Sequence, residues 1–427
     1  MTTGRTRTAL LGGMMAGLGT VAILGLTLFP DPEQAPYSAL TPLFCVVCGT
    51  HGGADVFLNL LLFAPLGAGL RLAGWRWPRV VGVSALLSLT VEFLQYSVVT
   101  GRDASLSDLL TNTAGAAIAA ALAPQVGALL APHGVLASRL CLAATGLWLA
   151  TLGASAAGME PWLPPGTIRS DCTRSSGKVE VFAGTARSVV LNGVPLPCDA
   201  DTPDAARLRH QLGRGEAVLE VATPSGDPAR GRVAMHAVRM PETYALLLEQ
   251  EGRAATFRTP VAGNRLGFYS PILRLPGAFP AEAGVPVQLQ AGVREQRMWL
   301  ASDYSGRRQV TEVRLSPSHG WTGLFPTGIR AGRRFRIATA LWVGLLILPA
   351  GYWAGFVRRP AWALAGILAA LGAGLGLLPF LTGYSPVHWS EWLGGVAGIA
   401  GGWALHRFAA YLQTRCGSPS TSAYSSP

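Results

Sequence analysis

Residues 54–73 read ADVFLNLLLFAPLGAGLRLA, with no charge between Asp55 and Arg71. About 20 predominantly apolar residues carry a helix across the hydrocarbon of a bilayer, so this stretch is predicted to span a membrane. Pro65 and Gly67 would weaken such a helix in water, but membrane helices tolerate both because neighbouring helices satisfy the loosened backbone. The same criterion applied outward predicts eight spans, near 8–29, 54–73, 79–99, 106–131, 137–157, 336–357, 361–383 and 387–409. Arg5 and Arg7 ahead of an apolar core also fit a cleaved signal peptide, but the first span is long for an h-region and no A-x-A site follows, so it is read as a retained helix.

Composition agrees with a polytopic membrane protein. Of the 427 residues, 50% are hydrophobic and 13% charged, against about a quarter charged in an ordinary soluble domain, which excludes a conventional soluble enzyme. The 53 glycines and 30 prolines lie inside apolar runs, so they do not signal disorder. The net charge of +11 is almost all arginine, with Lys178 the one lysine, and much of it flanks the spans. Such charge orients helices, since cationic residues in short loops stay cytoplasmic; no nucleic acid partner is implied. Arg71, Arg76 and Arg79, then Arg139, then Arg358 and Arg359 put alternate connections inside, with both termini cytoplasmic. Arg330, Arg333, Arg334 and Arg336 dissent, but charges beside a long translocated domain count for less.

Residues 159–331 are different. Short alternating segments are broken by Gly, Pro, Asn and Asp, which predicts an inserted all-β sandwich. Asn192-Gly193 sits between β-branched runs in SVVLNGVPL (188–196), the strongest short hairpin signal. Five crossings from a cytoplasmic N-terminus leave this domain extracytoplasmic, where Cys172 and Cys198 are expected to form a disulfide. Closing that loop is worth about 3 kcal/mol in the chain-entropy model. Cys45 and Cys48, with His51 nearby, invite a redox or metal reading. Three ligands fall short of a closed zinc site and the βαβ context of a redox motif is missing, so an ordinary disulfide or two packed thiols is preferred. Cys141 and Cys416 stand alone, and no metal or cofactor is expected.

Polar side chains inside spans are costly and mark function or pairing. Asp55 and Asn59 share a face of the second span; Glu92 and Gln95 form an i, i+3 pair on the third; Asp108, Asn112 and Gly115 line one stripe of the fourth, and Arg102 lies in the preceding loop. Asn59, Glu92 and Asn112 all fall roughly 7 to 11 Å below the outer end of their helices. The expectation is a shared polar pocket open to the exterior, with Arg102 pairing Glu92 or Asp108. Blander roles are open beside it. Ser105 and Asp108 fit a capping box, while Asn59, Gln95 and Asn112 suit interhelical hydrogen bonds that fix packing.

The pattern D-x3-N-x3-F-x-P-x-G, E-x2-Q and R-x5-D-x3-N-x2-G, carried by Asp55, Asn59, Phe63, Pro65, Gly67, Glu92, Gln95, Arg102, Asp108, Asn112 and Gly115, resembles the VanZ-like family of bacterial membrane proteins over residues 37–131. The family is named for a member linked to resistance to teicoplanin-type glycopeptides, so the resemblance implies a cell-envelope role. Residues 233–321, with FRTPVAGN at 257–264, are similar to concanavalin A-like (laminin G-type) sandwiches, which often bind glycans, although fold does not fix function.

The last three spans echo the second to fourth. FAPLG (63–67) corresponds to ILPAG (347–351), and SDLLTNTAG (107–115) to SEWLGGVAG (390–398). Both triplets run in the same sense, as in a parallel repeat. The second copy has Val343 for Asn59, Gly395 for Asn112 and no counterpart of Glu92 and Gln95, so the first is expected to keep the site and the second to be scaffold. The expected layout is an anchor at 1–36, a VanZ-like domain at 37–131, a fifth helix at 132–158, the sandwich at 159–331, a degenerate repeat at 332–412 and a cytoplasmic tail at 413–427.

Two function classes follow. In one, a non-catalytic envelope protein holds a cell-wall glycan, glycopeptide or protein on its sandwich, with membrane lipid around its helices. In the other, Glu92 or Asp108 is the acid/base of an enzyme acting on a lipid-linked substrate. No nucleophile, metal set or phosphate loop supports the second, so the first is preferred.

Overall fold

The computed structural model describes residues 2–30, 52–99, 105–163, 166–172, 182, 184, 186–202, 204–226, 232–240, 243–325, 328, 329 and 331–416. Cys45, Cys48, His51 and Arg102 therefore lie outside the described residues. Seven described helices are long and apolar enough to cross a membrane. They include α1 (Thr2–Thr27), α2 (Gly52–Leu72), α3 (Trp77–Ser97) and α4 (Leu106–Leu122), which runs on into the short α5 (Val126–Leu130). The others are α6 (Val135–Gly158), α8 (Arg333–Ala354) and a span from Pro360 to Leu381. The last is built of α9 (Pro360–Gly372), a π-helical stretch (Ala373–Leu377) and α10 (Leu378–Leu381). The eighth expected span is α11 (Trp389–Cys416), a single long helix whose glycines, His406 and Arg407 make it less apolar than the seven.

These helices are packed for lipid. Their outward faces carry Leu18, Leu86, Phe93, Leu142, Leu147, Leu345 and Phe380 exposed, while their inward faces bury small residues such as Ala54, Ala116, Ala120 and Ala350. With hydrocarbon as solvent there is no hydrophobic drive between helices, so close backbone approach through small residues supplies the packing.

The chain divides into two compact units. The first holds residues 1–126, 157–315 and 321–331, and the second holds 127–156, 316–320 and 332–427.

In the first unit, α1–α4 pack around Ile23, Phe63, Leu66, Val91 and Ala116. Its β region is a two-sheet sandwich. The strands are β1 (Arg169–Asp171), β2 (Ser188–Leu191), β3 (Val194–Pro195), β4 (Ala200–Asp201), β5 (Ala217–Pro224), β6 (Arg232–Met240), β7 (Thr243–Glu251) and β8 (Ala254–Arg258), then β9 (Ile272–Leu275), β10 (Pro286–Arg294), β11 (Arg297–Tyr304), β12 (Arg307–Arg314) and β13 (Gly328–Ile329). A helix, α7 (Ala205–Gly213), separates β4 from β5. One sheet has the order β13-β9-β8-β7-β6-β1-β4 and the other β12-β11-β10-β5-β2-β3. Leu219, Leu248, Phe257, Phe279 and Leu300 are fully buried in its core, and β5 turns Leu219 inward by period-2 alternation. The expected hairpin forms: Asn192 and Gly193 both have positive φ, 50° and 78°, joining β2 to β3. The disulfide Cys172–Cys198 is present, spanning 26 residues of sequence.

Asn264, from the FRTPVAGN segment, organises a turn. Its Oδ1 accepts from the Val261 N–H at 2.7 Å and from the Ser270 hydroxyl at 3.0 Å, and its amide donates to the Phe268 carbonyl. The turn ends at Gly267, in the left-handed region with φ 73°, whose carbonyl accepts from the Ala54 N–H at 3.0 Å. One orphan donor at the N-terminus of α2 is thereby satisfied by the sandwich.

In the second unit, α6, α8, α9 and α11 close around Trp148, Leu152, Val343, Ile347, Ala350, Leu371 and Leu375. Trp148 donates its indole N–H to the Val343 carbonyl at 3.3 Å. A Cβ on Gly374 would stand 2.5 Å from the Trp148 ring, so the π-helical turn uses glycine to admit the indole.

Candidate functional site

The residues singled out in α2, α3 and α4 meet along α4. Asn59 on α2 donates from Nδ2 to Asp108 Oδ1 at 2.6 Å and to Thr111 Oγ1 at 3.3 Å. On the other flank, Glu92 of α3 accepts the Ser105 N–H at 2.8 Å, and Asn112 donates to Ser88 Oγ at 3.1 Å. Glu92 and Asn112 are buried; Asn59 and Asp108 are half-buried. The arrangement is a hydrogen-bonded seam joining α4 to both neighbours.

The start of α4 explains how Asp108 is spared for this. Ser105 caps the helix, its Oγ accepting from the Asp108 N–H at 3.1 Å. In a full capping box the acid three residues on would reach back to the N-cap N–H. Here that N–H goes to Glu92, so the Asp108 carboxylate takes the Asn59 amide instead. Asp55 is exposed in the first turn of α2.

Gln95 does not join the seam. Its amide donates to the Thr27 carbonyl at 3.0 Å, tying α3 to the end of α1. Sequence spacing put Glu92 and Gln95 on one face, but it could not show which neighbour each would meet. Asn112 Oδ1 and Ser84 Oγ are buried with no partner among the described residues.

Glycine sets the depth at which these helices cross. A Cβ on Gly67 would lie 2.1 Å from the Ala116 carbonyl oxygen, and one on Gly115 would lie 2.3 Å from that of Leu60. The pair α8 and α11 crosses in the same register. A Cβ on Gly351 would lie 2.3 Å from the Ile399 oxygen, and one on Gly398 would lie 2.2 Å from the Gly344 oxygen. Aligned on Pro65 and Pro349 and on Asp108 and Glu391, each contact falls on its counterpart.

The second pair is not purely apolar. Glu391, at the position of Asp108, is buried and accepts from the His388 N–H at 3.2 Å and from Ser316 Oγ at 3.5 Å. His319 lies beside it in sequence space through Ser316: its Nδ1 accepts the Ser316 N–H at 2.9 Å, and its ring stacks on Phe335 at 4.9 Å. Complete burial pushes the His319 imidazole down to about 4, so it is neutral at pH 7. This cluster was not foreseen, because Ser316 and His319 come from the segment after β12, Ser316 lying 75 residues before Glu391.

Residues 19–130 match the VanZ/LLP1 family. The match takes in the last third of α1, all of α2–α4 and the short α5, and so contains every residue of the seam. It begins well before residue 37, where the resemblance read from motifs began, and the Gln95 bond to Thr27 gives a physical reason for α1 to belong with the three helices. Neither the comparison with curated proteins nor that with solved structures found a match.

Proposed function

We propose that this chain is a non-catalytic, VanZ-like protein of the bacterial cytoplasmic membrane that holds a cell-wall glycan on an extracytoplasmic sandwich and thereby contributes to glycopeptide resistance. Both termini are then cytoplasmic, and the sandwich is of the concanavalin A-like, laminin G type.

The observation that carries this reading is a polar hollow of about 400 Å³ on the outer face of the six-stranded sheet. Strand register makes it. Ser188, Ala222, Gln288, Asp303 and Arg308 are successive cross-strand partners in one row, and Glu220 pairs with Gln290 in the next. Side chains two apart share a face, so carboxylate, amide and guanidinium groups converge where sugar hydroxyls need both donors and acceptors. Gln290 already donates to Glu220 at 3.2 Å. Trp299, on the same face, packs against Gly292, where a Cβ would stand 2.2 Å from the indole. That supplies an aromatic surface beside the polar rows.

The test is co-sedimentation of the full-length protein in detergent with insoluble peptidoglycan, with soluble glycan fragments as competitors. Wild type is expected to sediment and be competed off. Failure to sediment overturns the reading. The second reading, an integral-membrane enzyme on a lipid-linked substrate, is favoured by two acids, Glu92 and Asp108, meeting at Ser105 at the start of α4. Turnover of such a substrate, lost in Glu92→Gln with folding intact, would establish it over the first.

A further inference from the structure

The crossing of α8 and α11 leaves a groove of about 690 Å³ along its outer side. Its floor is Ala340, Gly344, Gly394, Ala397 and Gly398, and its walls include Leu341 and Leu345. At one end stand Arg333, Arg336 and His388. We propose that this groove is a binding site for one anionic phospholipid, with an acyl chain on the small-residue floor and the phosphate on Arg333 and Arg336.

Charge argues for this occupant. Arg333 and Arg336 are exposed, and neither has a carboxylate partner among the described residues. They belong to the cluster that dissents from the orientation rule. Guanidinium groups at the end of an apolar groove match a phosphate joined to a hydrocarbon chain, and Arg binds phosphate bidentately. Trp389 is 68% exposed at the same end, as expected of an indole at headgroup level.

Comparison with the other crossing shows that the groove is a departure from a shared design. In the α2–α4 pair the positions of Gly344 and Gly394 hold the larger Leu60 and Thr111, and the position of Arg336 holds Gly52. The second pair has lost side-chain volume along the seam and gained cationic charge at its end. The glycines also let α8 and α11 approach closely, as packing alone would ask, but packing does not call for the cationic end. The site is independent of whether the sandwich holds a glycan.

The experiment is native mass spectrometry of the full-length protein, delipidated and then offered phosphatidylglycerol or phosphatidylcholine. Wild type is expected to keep one phosphatidylglycerol in preference to phosphatidylcholine. Arg333→Gln with Arg336→Gln should weaken retention about tenfold or more, from the worth of two phosphate-facing arginines. The Lys pair at the same positions, keeping charge without the bidentate fork, should fall between wild type and the Gln pair. Ala397→Leu fills the floor at an exposed position, so it leaves the fold intact while removing the chain's seat, and it too should weaken retention. Gel filtration and unfolding profiles equal to wild type establish that the variants fold. Equal retention of the two lipids, indifference to the arginine substitutions, or displacement by millimolar inorganic phosphate with Ala397→Leu unchanged would each overturn the proposal.

Discussion

Gly67→Ala should separate α2 from α4. The new Cβ would lie 2.1 Å from the Ala116 carbonyl oxygen and 2.6 Å from its carbonyl carbon and Cα, all backbone atoms, whereas ordinary contact begins near 3.4 Å. No rotamer relieves this, so the helices must part by more than an ångström. A gap of 0.5–1 Å forfeits a quarter to a half of each dispersion contact, and the buried Phe63, Leu66 and Ala116 all lie at this crossing. Overpacking of this kind costs about 1–3 kcal/mol, to which strain on the 2.6 Å Asn59–Asp108 bond adds. The assay is unfolding of the purified protein by SDS in mixed micelles. Gly82 has nothing within 4 Å of a built Cβ, so Gly82→Ala is the matched control, expected to be neutral or slightly stabilising. Gly351→Ala, whose Cβ would meet the Ile399 oxygen at 2.3 Å, should behave like Gly67→Ala. If Gly67→Ala were as stable as Gly82→Ala, the glycine-set crossing would be refuted.

Other expectations can be checked in the same preparation. Asn59→Leu removes the amide donor that Asp108 accepts at 2.6 Å and should cost about 1–3 kcal/mol, read as a lower SDS midpoint; an unchanged midpoint would show the bond to be idle. His319 has a folded value of about 4, below the ordinary 6.5, so the unfolded state binds the proton first. The second unit should therefore keep full stability above pH 6.5 and lose about 3 kcal/mol as pH falls toward 4, and His319→Phe should flatten that part of the profile. Gly193→Val forces a β-branched residue to φ 78° and should destabilise the sandwich by about 1 kcal/mol or more, seen as earlier loss of its near-ultraviolet signal on heating. Cys172→Ser opens the 26-residue loop and should lower stability by about 3 kcal/mol, with reductant producing the same change in wild type.

Much of this architecture was legible in the sequence because it depends on local rules. Run length alone located seven of the eight expected spans to within a few residues, and Asn192-Gly193 dictated its turn through the need for two positive φ values. The polar residues of α2–α4 were legible as a group because charge and amide are expensive in hydrocarbon. Their pairings were not. That Glu92 caps Ser105 while Asn59 takes Asp108 depends on how α4 is rotated between its neighbours, which no single-helix pattern encodes. The same holds for the polar hollow. QLQ at 288–290 shows outward glutamines, but only cross-strand register brings Asp303 and Arg308 beside them. Glu391 was visible as an acid in register with Asp108, yet the serine and histidine that accompany it arrive from outside the helices.

The most direct test of the functional account compares binding of soluble cell-wall glycan strands by three full-length proteins: wild type, Arg308→Ala with Asp303→Ala, and Glu92→Gln. The account predicts that the sheet-face substitutions abolish binding while Glu92→Gln binds as wild type does. Binding that survives the sheet-face substitutions and disappears with Glu92→Gln would contradict it.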